Sequence, residues 1–350
     1  MRGLYIHVPF CLSKCPYCDF YSGQYSRSKA EAYTAAVVRN LSQYSETFDT
    51  VYFGGGTPIL LHEYMGNILS HVNIADGAEI TAEANPCLCT ERALSDMLEA
   101  GINRISIGVQ SLNDGELSAL GRRHSADKAQ AAVLSAKSAG FKNISADLML
   151  AIPRQTEASL RETIDLLTAL PIQHVSAYLL KIEQGTPFGE NPPHAMPDED
   201  ETAQLYLTAV RLLEAAGFTQ YEISNFAKDG FESRHNLIYW RCGEYLGIGS
   251  AAHSFYGGKR FAVPRDLEGF ITAPAQPVEI TDEAPDMTEE RIMLGLRLRE
   301  GIPEELWKPL TGALGRIPKQ YYNIEKGRLS LTAEGFLLSN EIISLLLAEM

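Results

Sequence analysis

Six strand-like segments alternate with helical segments over the first two-thirds of this 350-residue chain. The predicted strands are Leu4–Val8, Thr50–Phe53, Glu79–Glu83, Arg104–Val109, Ile144–Met149 and His174–Leu179. The predicted helices are Lys29–Ser45, Leu60–Ser70, Glu91–Ala100, Asp127–Ala139, Glu157–Ala169 and Asp200–Ala216. Repeated strand–helix alternation is typical of a parallel sheet with helices outside it. The pattern therefore predicts an α/β fold, either a partial (β/α)6 barrel or a doubly wound sheet.

Polar residues on the predicted strands favour the barrel. Alternation puts Glu83 on one strand face with Thr81, and Asp147 on one face with Ser145. Carboxylates on the inward face of a parallel sheet are costly unless they bind something. A barrel with a ligand in its lumen explains them, and in such barrels the chemistry lies at the carboxyl ends of the strands. The residues predicted at that rim are the cysteine loop, Gly54–Gly56, Glu83, Gln110 and Asp147.

Composition and charge limit the class of protein and its partners. The chain is 45% hydrophobic and 21% charged, as in soluble globular proteins, and it has no apolar run of about 18 residues. Its net charge of −14 argues against a nucleic-acid partner, and we expect no stable membrane insertion. Met1-Arg2-Gly3 does not resemble a leader, and six cysteines with three clustered do not form a disulfide framework. These features predict a cytoplasmic protein.

Three cysteines, Cys11, Cys15 and Cys18, form a C-x3-C-x2-C motif directly after the first strand. A [4Fe–4S] cluster normally takes four cysteines, so three would leave one iron open to another ligand. A structural zinc site also needs four ligands, and Asp19 is the one nearby candidate for the fourth position. The motif favours an iron–sulfur cluster over zinc, and either over three structural cysteines. Cys87, Cys89 and Cys242 are predicted to be free thiols.

A second group of residues at the predicted rim could hold a small ligand. Glycines in Gly54–Gly56 would expose backbone groups to it, although a glycine triplet alone is more often a turn. Glu83 or Asp147 could hold ribose hydroxyls, and Arg122 could clamp a carboxylate with two hydrogen bonds. Taken singly, each of these residues is more easily explained as structural. Their common location favours a binding site.

The run His235–Trp240 is the second concentrated signal. A histidine four residues before Tyr239 could share one helical face with it, and both residue types can ligate haem iron. Core aromatic packing is the alternative. The surrounding segment 228–265 contains six basic and three acidic residues, an excess of +3 that could receive a porphyrin with propionates.

The end of the chain has a different organisation. Segment 181–198 contains four prolines and is predicted to be a long loop that could act as a lid. We divide the chain into a core barrel with the haem-associated segment at 1–263, a linker at 264–286 and a small domain at 287–350. Predicted helices at 288–299, 303–310 and 332–347 around a hairpin at Tyr322–Leu331 suggest that this last domain is helical and winged-helix-like.

Several of these motifs together resemble the oxygen-independent coproporphyrinogen oxidase group of radical-SAM proteins, and within that group its haem chaperone branch. The similarity covers nearly the whole chain in matching order. The motifs are Tyr5–Phe10, the three cysteines, Gly54–Pro58, Gly108–Ser111, Asp147–Met149, Pro153–Thr156 and His235–Trp240. Two features favour the chaperone branch. Phe20 stands where the oxidases carry a fourth cysteine, and the His-Asn-x-x-Tyr-Trp run is the one associated with haem in the chaperones.

The resemblance implies a radical-SAM barrel with a [4Fe–4S] cluster on Cys11, Cys15 and Cys18. The implied contacts to S-adenosylmethionine (SAM) are Tyr5, Tyr17, Gly55, Gly56, Thr57, Glu83, Gln110, Arg122 and Asp147. His235 and Tyr239 are the implied haem contacts. Lys181 replaces a small residue that the oxidases have near one SAM, which argues against a second SAM here.

The function implied is a haem chaperone that passes haem to an acceptor protein. The acceptor is unidentified, and a membrane-bound respiratory protein is one candidate. The alternative is a radical-SAM oxidative decarboxylase of the coproporphyrinogen oxidase type. We expect no coproporphyrinogen oxidase activity, and whether the chain is an enzyme in another sense stays open.

Overall fold

One twelve-stranded sheet organises the computed structural model, which describes residues 1–349. The strands are β1 Gly3–Val8, β2 Phe10–Cys11, β3 Gly23–Gln24, β4 Thr47–Gly55, β5 Asn73–Ala84, β6 Arg104–Gln110, β7 Asn143–Leu150, β8 His174–Leu179, β9 Thr219–Gln220, β10 Asn225–Ala227, β11 Tyr245–Ile248, β12 His253–Tyr256, β13 Lys259–Ala262, β14 Glu279–Asp282, β15 Ile302–Pro303, β16 Tyr322–Glu325 and β17 Arg328–Leu331. The helices are α1 Arg27–Leu41, α2 His62–Leu69, α3 Glu91–Glu99, α4 Asp114–Ala119, α5 Ala126–Ala139, α6 Glu157–Thr168, α7 Pro187–Glu190, α8 Glu199–Ala215, α9 Arg234–Trp240, α10 Leu267–Thr272, α11 Met287–Gly295, α12 Glu304–Trp307, α13 Thr311–Leu314, α14 Ala333–Leu337 and α15 Ser339–Leu347.

The six predicted strands are all present and are neighbours in chain order. The sheet order is β14-β13-β12-β11-β1-β4-β5-β6-β7-β8-β10-β9, and all pairs from β11 to β8 are parallel. In the described chain β1 pairs outward with β11 and β8 pairs outward with β10, so the barrel is open between β1 and β8. The prediction of a partial barrel, as opposed to a doubly wound sheet, is confirmed.

The helices cover this sheet because each has one apolar stripe. In α6, Leu160, Ile164 and Leu167 are spaced at i, i+4 and i+7 and form one buried face. Burying each such side chain contributes about 2 kcal/mol to folding. A capping box between Thr156 and Ser159 fixes where α6 begins. Helix α6, which follows β7, is therefore stabilised both by its N-terminal cap and by its buried face.

Residues 264–349 add a strand to the large sheet and then form a small second sheet. Segment 264–286, predicted as a linker, contains α10 and the edge strand β14, which pairs with β13. Further on, β15, β17 and β16 form a three-stranded antiparallel sheet among short helices, with the predicted hairpin turn at Lys326-Gly327. The division of the chain into domains stays a prediction. Within residues 1–349, no helix has the length and apolar character needed to cross a membrane.

Helix α9, which contains the His235–Trp240 run, closes the amino-terminal end of the barrel. Its first backbone N–H groups, from Arg234 and His235, donate to the Glu79 carboxylate at 3.2 and 3.0 Å. A carboxylate at a helix N-terminus is favoured by the helix dipole. Inside the lumen the His235 ring lies 2.7 Å from the Thr50 hydroxyl near the start of β4. The opposite, carboxyl-terminal end of the barrel is left for a ligand.

Candidate functional site at the barrel mouth

A cavity of about 420 Å³, here called the mouth cavity, lies at the carboxyl-terminal end of the barrel strands. It brings together the predicted rim residues from five different strands and loops. Its walls include Cys11, Cys15, Cys18, Tyr17, Gly55, Gly56, Thr57, Glu83, Gln110, Arg122 and Asp147. Of the SAM contacts that the resemblance implies, Tyr5 alone is outside this wall. Phe20, more than half exposed at 57%, borders the same cavity and offers no ligand atom.

The cysteine loop presents three free thiols to the mouth cavity. The Cys11 sulfur lies 3.4 Å from the Thr57 hydroxyl, and the Arg122 guanidinium donates to the Cys15 sulfur at 3.3 Å. Burial raises the pKa of the Cys18 thiol, and the neighbouring Cys15 thiol raises it further. A positively charged metal group at this position would offset that cost.

The donor set can be compared with the metal groups it might hold. Among residues 1–349, no three His, Cys, Asp or Glu side chains converge as ligands of one metal ion. A single zinc ion would need such convergence, with four ligands. A [4Fe–4S] cluster takes one thiolate on each iron, so its ligands surround a larger group. Three thiols around an open cavity fit a cluster with one iron left for another ligand.

Glu83 holds the glycine loop in place. Its carboxylate accepts hydrogen bonds from the Tyr52 hydroxyl at 2.9 Å and from the Gly55 N–H at 3.2 Å. Burial, followed by the charge of Asp147, raises the pKa of Glu83 to about 7. Burial also raises the pKa of Asp147, which accepts from the Ser106 hydroxyl at 2.9 Å. Two carboxyl groups facing one cavity favour a ligand that brings hydrogen-bond donors or positive charge.

Two further features border the mouth cavity. They are Gln110, which has a strained backbone, and segment 181–198, which was predicted to act as a lid. Gln110 ends β6 with φ of 67°, a left-handed conformation uncommon outside glycine and frequent at functional sites. Arg122 also donates to the Gly108 carbonyl at 3.0 Å. Helix α7 in segment 181–198 packs Phe188 against Tyr17, with ring centroids 6.3 Å apart. The segment therefore contacts the cysteine loop directly.

Below the mouth cavity the lumen contains an aromatic column, defined as Tyr5, Tyr52, His235, Tyr239 and Tyr245. Successive ring centroids lie 6.2, 5.1, 5.0 and 4.5 Å apart. Tyr5 belongs to this column, and its hydroxyl lies 3.1 Å from His7 Nδ1. The sequence reasoning missed Tyr52, although its alternation with Gly54 on one strand was a usable signal.

His235 and Tyr239 do lie on one helical face, and that face points into the column. His235 is 1% exposed, and its two ring nitrogens lie 2.7 Å from the Thr50 and Tyr239 hydroxyls. Burial lowers the pKa of His235 to about 3, so its ring is neutral at ordinary pH. Both nitrogens are thus engaged within the protein. An iron bond to His235 would have to replace one of these hydrogen bonds.

A second cavity of about 720 Å³, here called the lateral cavity, lies between the open side of the barrel and α11. Tyr239 and Trp240 from the end of α9 form part of its wall. Tyr178 on β8, 41% exposed, borders both this cavity and the mouth cavity. The two cavities are therefore neighbours on either side of one side chain.

The basic side chains of segment 228–265 are less available to an anionic ligand than the composition of the segment indicated. Its basic side chains already have partners, many from residues outside the segment. The pairs are Lys228 with the Ile172 carbonyl, Arg234 with the Gly77 carbonyl, Arg241 with Glu300, Lys259 with Glu283, Arg260 with Glu290 and Arg265 with the Asp19 carbonyl. A charge count over the segment could not include Glu283, Glu290 and Glu300, because they approach it only in the folded chain.

Glu222, on the wall of the lateral cavity, gives a prediction about pH. It is 0% exposed, accepts from the Ser224 N–H at 2.9 Å, and burial raises its pKa to about 7 from 4.5. A carboxyl with a raised folded-state pKa stabilises the fold below pH 4.5 and loses that contribution as pH rises through 7. Relative to Glu222→Gln, we expect the wild type to lose up to about 3 kcal/mol of unfolding free energy between pH 5 and 8. Urea unfolding at several pH values measures this.

The matched control for this measurement is Glu325→Gln, which changes an exposed glutamate on a hairpin. Its unfolding free energy should follow the wild type across the whole pH range. Parallel profiles for the wild type and Glu222→Gln would contradict the prediction.

Comparisons with known proteins agree with this geometry. A family model described as the Radical SAM superfamily matches residues 5–167. Three curated relatives, each called "Heme chaperone HemW", align over nearly the full length of both chains. They come from Haemophilus influenzae (35% identical, 99% of this chain and 98% of the relative), Escherichia coli (36%, 99% and 98%) and Bacillus subtilis (34%, 100% and 100%).

Among solved structures, the coproporphyrinogen III oxidase HemN from Escherichia coli matches with a TM-score of 0.83. The match covers 99% of this chain and 89% of that one, at 18% identity, and so shows a shared fold. The open parallel barrel, together with the superfamily match, defines a radical SAM protein. Within that class, full-length identity of 34–36% to curated relatives shows that the chain belongs to the HemW family.

Proposed function

We propose that this chain binds haem and transfers it to an acceptor protein, with a [4Fe–4S] cluster and exchangeable SAM in the mouth cavity. The observation that carries the proposal is the sequence identity of 34–36% between this chain and three curated heme chaperones over nearly its full length. Phe20, which has no ligand atom at the place of the oxidases' fourth cysteine, also supports it. We propose a cytoplasmic protein because all six cysteines are free thiols. Its acceptor is unidentified, with a membrane-bound respiratory protein as one candidate.

In this proposal Cys11, Cys15 and Cys18 hold the cluster and the mouth cavity holds SAM. A reduced cluster with bound SAM supplies one-electron chemistry at the barrel mouth. Two protein features support the placement of SAM there. Glu83 and Asp147 face the cavity with raised pKa values, so that hydrogen-bond donors on a ligand would stabilise their charged forms. The other proposed contacts are Tyr17, Gly55, Gly56, Thr57, Gln110 and Arg122, with Tyr5 acting from below through Tyr52.

His235 and Tyr239 are the proposed haem contacts, and they have different roles. Tyr239 borders the lateral cavity and can touch a ligand there. His235 is buried and reaches that ligand through its 2.7 Å hydrogen bond to the Tyr239 hydroxyl. His235 is therefore a positioning residue in this proposal.

A second candidate function is oxidative decarboxylation of a porphyrinogen, because the fold matches coproporphyrinogen III oxidase. That match is at 18% identity, and it supports the fold alone. Lys181 also borders the mouth cavity, where it pairs with Glu183. Because this lysine replaces a small residue of the oxidases, we propose that the mouth cavity binds a single SAM.

One experiment separates the two functions. The chain is purified without oxygen, titrated with haem while the Soret band is followed, and then offered coproporphyrinogen with SAM and a low-potential reductant. We expect saturable haem binding, transfer of the bound haem to an added apo-haemoprotein, and no protoporphyrinogen. Protoporphyrinogen formed over many turnovers would overturn the carrier function. Absence of saturable haem binding would also overturn it.

A further inference from the structure

The lateral cavity has the volume and the aromatic lining of a site for a flat apolar ligand. Its volume of about 720 Å³ lies in the range of cofactor sites. Its lining combines the aromatic side chains of Tyr239, Trp240 and Tyr245 with Met293 and Leu294 of α11. Aromatic side chains offer large flat surfaces for such a ligand. A planar macrocycle would lie between the barrel edge and α11.

A smaller cavity of about 350 Å³, here called the flank cavity, opens beside it. The two cavities share Tyr178, Ile223, Ser224 and Trp240. The flank cavity is bordered by Arg297, which is half-buried and donates to the Asn340 side chain at 3.1 Å. Among residues 1–349 no carboxylate forms an ion pair with Arg297, and burial lowers its pKa.

Arg297 differs from its neighbour Arg299 in exposure and in ion pairing. Arg299, two residues further along, is exposed and lies 3.8 Å from the Glu214 carboxylate. A half-buried guanidinium without an anion is costly, and a ligand carboxylate can satisfy it with two hydrogen bonds. Arg297 is therefore placed to receive an acidic side group of a ligand that extends from the lateral cavity.

Asn225 adds an independent sign of a ligand in the lateral cavity. It is 3% exposed and lies on the wall, and its Oδ1 has no hydrogen-bond partner in the described chain. Buried polar atoms are nearly always satisfied, so this acceptor on a cavity wall calls for a hydrogen-bond donor, which a protonated carboxyl group of a ligand or a water molecule beside the ligand can supply. The amide nitrogen of the same side chain already donates to Glu222.

Cys242 is the wall residue best suited to bind a metal. It is half-buried, it lies two residues after the end of α9, and its thiol makes no hydrogen bond within residues 1–349. Two of the tyrosine hydroxyls at this wall are already engaged, that of Tyr239 with His235 and that of Tyr245 with Arg260. No histidine borders this cavity. Cysteine thiolate is an established ligand of haem iron.

We propose that haem occupies the lateral cavity, with Cys242 as a ligand of its iron and Arg297 as the clamp for a propionate. This inference rests on the proposed haem-carrier function and adds two contacts, Cys242 and Arg297, that lie outside the His235–Trp240 run. On binding, an iron–sulfur bond forms, the thiol proton passes to solvent, and no electron is transferred. The macrocycle then contacts both the barrel and the C-terminal region.

The test uses two variants, each with a matched control. Cys242→Ser is paired with Cys87→Ser, an exposed cysteine outside the cavity, and Arg297→Gln is paired with Arg299→Gln. All are titrated anaerobically with haem and with haem dimethyl ester, and the ferric and ferrous–CO spectra are recorded as differences from the haem-free protein. Circular dichroism and the iron–sulfur absorption check that each variant is folded and carries its cluster.

We expect a thiolate-type, red-shifted ferrous–CO Soret band in the wild type and in Cys87→Ser, and its loss in Cys242→Ser. Arg297→Gln should weaken haem binding about tenfold, the effect of losing one charge-assisted hydrogen bond, and leave ester binding unchanged. Arg299→Gln should match the wild type with both ligands.

The measurements distinguish failure of the iron ligand, failure of the propionate clamp and failure of the haem-carrier function. If the wild type binds haem and Cys242→Ser has an unchanged spectrum, the iron ligand is wrong while the carrier function stands. Equal haem affinity in Arg297→Gln and the wild type would overturn the clamp. If the wild type binds no haem, the proposed function fails and this site fails with it.

Discussion

Replacing Cys15 by alanine is expected to abolish the iron–sulfur absorption of the anaerobically purified chain. The mouth cavity offers three thiols and no fourth, so the loss of one leaves two irons of a four-iron cluster without a protein ligand. Cys15 is also the thiol that receives the Arg122 hydrogen bond at 3.3 Å. Iron and sulfide content after reconstitution, together with the visible spectrum, measures the effect.

The other three cysteines provide matched controls. Cys87→Ala, Cys89→Ala and Cys242→Ala remove thiols that do not border the mouth cavity, and each variant should retain the full cluster signal. A cluster that survives loss of Cys15 would contradict the ligand assignment. So would a cluster lost on replacing Cys87.

Gly56→Ala is expected to prevent cluster assembly and SAM binding and to destabilise the fold. A β-carbon at Gly56 would lie 2.5 Å from the Phe10 carbonyl and 2.8 Å from the Val8 carbonyl. Both contacts are backbone atoms, so no side-chain rotation can relieve them, and the strand leading into Cys11 must move. Overpacking of this kind costs about 1–3 kcal/mol. Urea unfolding and calorimetric SAM titration of the reconstituted protein measure the two effects.

Gly23→Ala is the control for this substitution. A β-carbon at Gly23 would meet no atom within 4 Å, although β3 lies beside the cysteine loop strand β2. The control should therefore assemble its cluster and bind SAM normally. If Gly56→Ala did so too, the close approach of the glycine loop to β1 would not be needed for the site.

The barrel and most of its mouth could be predicted from the sequence because both follow from local pattern. Strand alternation predicted that Glu83 and Asp147 face inward, and they do face the mouth cavity. The position of α9 could not be predicted, since a short helix carries no local signal for which end of a barrel it closes. Tyr5 is a similar case, because the resemblance implied a contact to SAM but could not give the depth of this side chain below the rim.

The haem-associated segment shows a second limit of sequence reasoning. The basic residues of 228–265 were counted against their sequence neighbours, whereas Glu283, Glu290 and Glu300 neutralise several of them in the folded chain. Arg297, outside the counted segment, is half-buried and forms no ion pair with a carboxylate among residues 1–349. Charge pairing between distant segments is a tertiary property, and composition over a window cannot report it.

Tyr178 borders the mouth cavity on one side and the lateral cavity on the other. A ligand that displaces this side chain from one side alters the space available on the other, which couples the two binding free energies. Thermodynamic reciprocity then fixes the relation: a tenfold change in haem affinity caused by SAM requires a tenfold change in SAM affinity caused by haem. Unloading haem to an acceptor would therefore be accompanied by a change in SAM occupancy, so the mouth of the barrel would register whether the carrier is full or empty.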